Sequence, residues 1–143
     1  QFTKTFPHTG KVLDAFKTGL MHNVPFGYAF FSTLQPGSKI KPHTGASNIK
    51  VRCHLPLIIP DDCYIWIAGH KIKWKPGKCL YFDDTYIHHV EHNGEGERLI
   101  LLMDFWHPSI MLEEREAIVN MFDSAKEKGF MGNQESKANQ TEQ

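Results

Sequence analysis

Short apolar runs recur from residue 28 to residue 105, each closed by a cluster of Pro, Gly, Asp or Asn. The segments Tyr28–Leu34, Lys39–Pro42, Ile49–Ile59, Tyr64–Ile67, Ile72–Trp74, Lys78–Phe82, Tyr86–His92 and Arg98–Phe105 read as strands. Gln35-Pro36-Gly37-Ser38, Pro60-Asp61-Asp62 and Pro76-Gly77 read as turns, and a hairpin is expected across Ala68-Gly69-His70-Lys71. A helical period appears only at the two ends. Gly10–Leu20 places Val12, Leu13, Phe16 and Leu20 on one face, and Glu113–Lys128 does the same with Ile118, Met121, Phe122 and Ala125. Helices never alternate with the strands, which argues against a parallel α/β fold. The expectation is a mainly β double-stranded β-helix (jelly roll, cupin-like), with short helices at both ends. Its core is expected over about residues 26–107, inside a single domain of residues 1–131. Residues 132–143 are too polar to pack and read as a disordered tail.

One strand departs from simple apolar content. In Ile49–Leu57, Lys50, Arg52 and His54 alternate with Ile49, Val51, Cys53, Leu55 and Leu57. Successive side chains of a strand point to opposite faces, so the cationic residues share one face and the apolar ones the other. A bend is expected at Pro56. This pattern suits a barrel wall whose lumen binds an anion.

Lys and Arg total 16 against 16 Asp and Glu, so no net field recruits nucleic acid or an anionic membrane. Any charge selectivity must be local to a pocket. No apolar run approaches the roughly 20 residues needed to span a bilayer. The chain begins at Gln1 rather than Met, which points to a processed or trimmed product. Cys53, Cys63 and Cys79 form no Cys-x-x-Cys pair and read as buried, reduced thiols. These features leave the compartment open between cytoplasm and endoplasmic reticulum lumen.

Nine histidines are many for 143 residues. His43 and His88 stand on separate strands, each after a Pro-Gly turn, and two imidazoles from one barrel make a ready metal site. The acid of a 2-His-1-carboxylate triad normally follows the first histidine by two positions, but Gly45 stands there. Either the metal has only two protein ligands, or Asp83 or Asp84 reaches in. Asp84 shares a face with Tyr86 and His88 in an extended chain, and a role behind the ligands is equally open to it. Arg52 and Arg98 leave two alternatives standing. Two guanidinium groups could grip a dicarboxylate across the lumen, or they could be neutralised by Asp83, Asp84, Asp104 or Glu97.

The run His43-Thr44-Gly45…Arg52-Cys53-His54-Leu55, then Phe82-Asp83-Asp84-Thr85…His88…Arg98, then Asp104-Phe105-Trp106-His107-Pro108, closely resembles the aspartyl/asparaginyl β-hydroxylase family. The similarity extends over roughly Phe26 to Met121. His8-Thr9-Gly10 repeats the His-Thr-Gly letters, but it precedes the expected helix and has no Arg/His strand after it. The resemblance implies a dioxygenase using Fe(II), O₂ and 2-oxoglutarate and releasing succinate and CO₂, in a family that carries Gly where the acid ligand would stand. It implies that His43 and His88 hold iron, that Arg98 and Ser32 bind the distal carboxylate of 2-oxoglutarate, and that Arg52 and His54 bind the carboxylate nearest the metal. It places Asp84 behind the ligands. An aspartyl or asparaginyl side chain in a protein is the substrate it suggests, with a small molecule or a lipid as the alternative.

Three rival readings are kept. A halogenase would fill the open position with halide, a non-oxygenase cupin-like metal protein would bind metal without 2-oxoglutarate, and a silent interaction module would bind neither.

Overall fold

Pro-Gly and Asp-rich turns fold the chain back on itself so that every strand pair is antiparallel. The computed structural model describes residues 2–130. In chain order the elements are α1 (Phe2–Thr5), α2 (Pro7–Ala15), β1 (Ala29–Leu34), β2 (Lys39–His43), β3 (Lys50–Ile58), β4 (Cys63–Ile67), β5 (His70–Ile72), β6 (Leu80–Phe82), β7 (His88–His92), β8 (Arg98–Trp106) and α3 (Leu112–Glu127). One sheet has the order β1-β8-β3-β6 and the other β2-β7-β4-β5. The result is the expected mainly β jelly roll with helices at both ends. The expected polar tail lies outside the described residues.

Three apolar clusters hold the layers. Ile65, Trp74, Phe82 and Val90 pack between the sheets, joined by Leu34, Ile40, Ile67 and Leu80. On the outer side of β3 and β8, Cys53, Leu101 and Met103 meet Leu13 and Leu20. The third cluster seats α3, through Ile118, Val119 and Phe122, on Met21, Val24 and Trp106. No helix among the described residues is long and apolar enough to cross a membrane.

The helical expectations need correction at their edges. The first long helix starts at Pro7, whose ring presets the helical φ at the opening position, and stops at Ala15. His8-Thr9-Gly10 therefore lies inside this helix rather than before it. Val12 and Phe16 stay exposed, while Leu20 reaches the core from an extended bridge to Phe105. In α3, Met121 is likewise exposed. Cys79 is an exposed thiol rather than a buried one, whereas Cys53 and Cys63 are buried and unbridged. Burial holds the Cys53 thiol up at about 12, with Cys79 beside it adding to the rise.

Two irregularities position the site. Along β2 the pairing runs Lys39↔Glu91 and Ile40↔Val90, then slips by one so that His43 lies opposite His88. In an unbroken strand, residues three apart face opposite sides; the extra residue of the bulge reverses the alternation and aims His43 at β7. Pro42 stands at this irregular stretch and has no N–H for the ladder to miss. A second bulge bends β3 between Pro56 and Ile58, where the sequence predicts the bend.

The β4–β5 hairpin turns through Ala68 and Gly69, both left-handed, with φ of 48° and 81°. A two-residue turn of this kind suits the strand twist but strains any side chain larger than glycine's at its first position. Ala68→Asn creates the favoured Asn-Gly pair at this turn. It is expected to stabilise the fold by about 0.5–1 kcal/mol and raise Tm by about 2–4 °C, as read by thermal unfolding.

Candidate active site

His43 and His88 meet across the β2–β7 pair with ring centroids 4.2 Å apart. Each ring is fixed in the same way. Nδ1 of His43 lies 2.8 Å from the carbonyl of Lys41, and Nδ1 of His88 lies 2.9 Å from the carbonyl of Tyr86. A carbonyl oxygen only accepts, so both Nδ1 atoms carry the proton and both Nε2 lone pairs remain for a metal. Burial holds the His88 pKa below its ordinary value against the raising hydrogen bond to the Tyr86 carbonyl, with His43 and Arg52 adding to the lowering and Asp84 opposing it. The neutral form is the ligand form.

Gly45 sits directly after this pair. Its amide donates to the carbonyl of Asp84 at 2.6 Å, and a Cβ placed on Gly45 would overlap the Asp84 carboxylate. No acidic side chain fits at position 45, because a fully buried aspartate from the turn between β6 and β7 already fills the space. Among the described residues no set of three His, Cys, Asp or Glu side chains is placed to hold a metal. A metal at this pair would meet two histidine side chains, with the Asp84 carboxylate against Gly45 rather than beside them as a third ligand.

Asp84 belongs to a buried group of four charges. Lys50 Nζ donates to Asp104 Oδ2 at 2.9 Å and to the Phe26 carbonyl at 3.1 Å, and lies 3.4 Å from Asp84 Oδ2. Arg52 donates from Nε to Asp104 Oδ1 at 2.9 Å and from Nη2 to Oδ2 at 3.1 Å, with Nη1 at 3.3 Å from Asp84. Burial opposes the Arg52 charge, yet the Asp104 hydrogen bond and the two carboxylate charges raise its pKa on balance. The two alternatives left open for the arginines thus divide: Arg52 is neutralised by aspartates, and Arg98 is not.

Arg98 is buried deeper in the lumen, where Nη2 donates to Ser32 Oγ at 2.8 Å and the guanidinium lies 5.4 Å from the Trp74 ring. Its Nε is buried without an acceptor. His54 stands between the two levels. Trp74 Nε1 donates to His54 Nδ1 at 3.3 Å, so neutral His54 carries its proton on Nε2, which is also buried without a partner. Phe82 packs its ring against both His54 and His88, at 5.1 Å and 5.3 Å. The lumen thus holds two orphaned N–H donors, one below the histidine pair and one at the far end.

These positions match a known family. The family model for aspartyl/asparaginyl β-hydroxylase fits residues 1–108. The chain belongs to the aspartyl/asparaginyl β-hydroxylase family. Aspartate β-hydroxylase domain-containing protein 2 of Xenopus tropicalis is 41% identical over 122 residues, covering 83% of this chain and 33% of the relative. The aspartyl/asparaginyl β-hydroxylase of Mus musculus is 36% identical over 118 residues, 80% of this chain and 15% of that protein. The chain thus spans a third or less of these two relatives. The cupin domain of Cnp3 from Schizosaccharomyces pombe superposes with a TM-score of 0.51 at 10% identity, over 80% of this chain and 70% of that one, a likeness of fold alone. The family match begins well before Phe26 and ends at Pro108. It takes in α2, whose Leu13 closes the outer face of β3 and β8, and leaves out α3.

The structure brings Ser32, His43, Arg52, His54, Asp84, His88 and Arg98 to this lumen; of the other residues there, the sequence reading has Lys50 on the polar face of β3 and Asp104 as a possible counter-charge, and gives Trp74 no part. Lys50 was legible as the third member of the polar face of β3. Asp104 was a lone acid in the most apolar strand, two positions from Trp106 and six from Arg98.

Two outcomes follow from this geometry. Gly45→Ala pushes a methyl into the Asp84 carboxylate and is expected to cost about 1–3 kcal/mol in denaturant unfolding. Burial, followed by the charges of Arg52, Arg98 and His88, holds His54 down at about 3. The unfolded chain titrates this group near 6.5 and so binds more protons than the folded one below that pH. Its contribution is complete above pH 6.5 and is lost as pH falls toward about 3, by up to about 1.4 kcal/mol per pH unit. His54→Gln is expected to flatten urea-unfolding stability against pH across this window.

Proposed function

We propose that the domain is an Fe(II)- and 2-oxoglutarate-dependent dioxygenase that hydroxylates an unactivated C–H bond of an aspartyl or asparaginyl residue or a related substrate. The observation that carries this reading is the matched pair of imidazoles, each donating Nδ1–H to the carbonyl two residues earlier and leaving Nε2 for metal. His43 and His88 would hold the iron. The orphaned donors His54 Nε2 and Arg98 Nε fit a ligand with acceptors at both ends, which is the chemistry of a dicarboxylate.

In this reading Arg98, oriented by Ser32 and backed by Trp74, anchors the distal carboxylate, while His54 and Arg52 line the near one. With these residues holding iron and 2-oxoglutarate, the two together with O₂ would supply the chemistry, one oxygen atom going to succinate as CO₂ leaves and the other to the hydroxyl of the substrate. Phe82, Trp74 and Val90 keep bulk water out of the lumen between these polar ends. Asp84 bears on the choice between the rivals at the open position. A buried carboxylate against Gly45 repels a halide and accepts hydrogen bonds from water, which argues for hydroxylation over halogenation. The lone guanidinium of Arg98 argues against a metal-only cupin, which needs no charge there.

Anaerobic titration with Fe(II) and 2-oxoglutarate is expected to give the visible charge-transfer band of the chelate. Absence of the band with both at saturation would sink the oxygenase reading. Arg98→Ala should weaken 2-oxoglutarate roughly 30-fold or more while leaving Fe(II) binding in place. An unchanged 2-oxoglutarate affinity would remove Arg98 from the role.

A further inference from the structure

Cys53 and Cys79 meet on the outer face of the sheet that carries Arg52 and Arg98. β3 pairs with β6 so that Cys53 lies opposite Tyr81 and His54 opposite Leu80. Strand alternation then puts Cys79, one residue ahead of β6, on the same face as Tyr81 and Cys53. The side chains follow this placement. The Cys53 thiol shares hydrogen bonds with the Cys79 thiol and the Tyr81 hydroxyl, and Tyr81 bonds Cys79 as well. Cys63 belongs instead to the cluster between the sheets, with Ile65, Trp74 and Val90.

The two thiols differ in access. Cys53 is fully buried and packs with Leu20, Leu101 and Met103, whereas Cys79 is open to solvent. Cys79 precedes the β3–β6 ladder and follows the Pro76-Gly77 turn, so it can move without breaking a rung. The Gly77 amide donates to the Pro56 carbonyl at 2.9 Å and keeps that turn against β3. Diagonal neighbours of a regular ladder have Cα atoms about 7–8 Å apart, just beyond the usual disulfide span, so closure needs a small swing of the Cys79 segment. Burial raises the Cys53 pKa, and the charge and hydrogen bond of Cys79 add to the rise while the Tyr81 hydroxyl opposes it. A covalent cap on Cys79 removes that cysteine's share and leaves Tyr81 to donate to a Cys53 thiolate. β6 itself is a three-residue edge strand hydrogen-bonded to β3, yet it carries Phe82, whose ring packs against His54 and His88.

We propose that Cys53 and Cys79 form a reversible redox site, closing to a disulfide that pins the edge strand β6 to β3. The oxidant is a low-molecular-weight disulfide of the glutathione class. Cys79, as its thiolate, attacks one sulfur of the oxidant; the S–S bond of the oxidant breaks and one glutathione leaves as thiolate. Cys53 then gives its proton to water, and its sulfur attacks the Cys79 sulfur and expels the second glutathione thiolate. Each released thiolate takes up a proton. Two protein thiols are oxidised and one glutathione disulfide is reduced to two glutathiones. This chemistry is independent of the oxygenase reading.

The test is incubation of the chain with glutathione disulfide, alkylation of remaining thiols in denaturant, and peptide mapping by mass spectrometry. The expected product is a linked Cys53–Cys79 peptide that dithiothreitol releases, with Cys63 recovered alkylated. Cys53→Ala should stop at a glutathione adduct on Cys79, and Cys79→Ser should give neither adduct nor link. In the linked chain, amide hydrogen exchange across Leu80–Phe82 should slow about tenfold, because β6 is held to β3 when its ladder opens. Recovery of Cys53 as the alkylated thiol, an adduct on Cys79 that never resolves in the unaltered chain, or a link made through Cys63 would overturn the proposal. Unchanged exchange across β6 in the linked chain would overturn its role as a clamp.

Discussion

Asp104 and Asp84, both fully buried, face Lys50 and Arg52 inside the barrel, and the rest of the site is arranged around these four charges. Burying any one of them alone would be costly, and removing one partner from such a group typically costs about 3–5 kcal/mol because it strands the others. The charges of the group cancel and its Asp104 end is well paired: Arg52 lies directly opposite Asp104 in the β3–β8 ladder and forks onto both of its oxygens, while the Asp84 oxygens have ion-pair contacts to Lys50 and Arg52 but no hydrogen bond. Lys50 then ties the network to the Phe26 carbonyl and so to the segment that carries Tyr28 into β1.

From this centre the two ends of the lumen acquire different chemistry. Toward the mouth, Asp84 is pressed against Gly45 and the rings of His43 and His88 stand side by side. Toward the far end the charge of Arg98 is answered only by a hydroxyl and an aromatic face. Burial pulls the Arg98 pKa down, with Cys63 an opposing influence, and a guanidinium keeps its charge even in such surroundings. His54, kept neutral by burial and neighbouring cations, completes a polar path between the two ends. The cations nearer the mouth are thus paired with aspartates, while the one at the base is not.

Much of this was legible in the chain. Period-two alternation in Ile49–Leu57 predicts that Lys50, Arg52 and His54 share the lumen, and the structure puts all three on the inner face of β3. Turn chemistry marks the strands, because Pro-Gly and Asp-rich clusters leave short apolar runs nowhere else to go but into sheets. The absence of an acid at Gly45 was visible as well. The edges of the helices were not, because Val12, Phe16 and Met121 fit a helical stripe without having a surface to bury against.

The sequence by itself determined the jelly roll, the face on which the cations stand and the histidines that could bind metal, since all three depend on local alternation and turn residues. Only the tertiary structure decided how those residues are used. A one-residue bulge in β2 turns His43 toward His88, and no local pattern encodes that slip of register. The Arg52 and Arg98 side chains are chemically equivalent in the sequence; they differ because Asp104 lies across the ladder from one, while the other meets Ser32 and Trp74 and, among the described residues, no carboxylate. Pairing partners far apart in the chain fix which charge is cancelled and which is left to act.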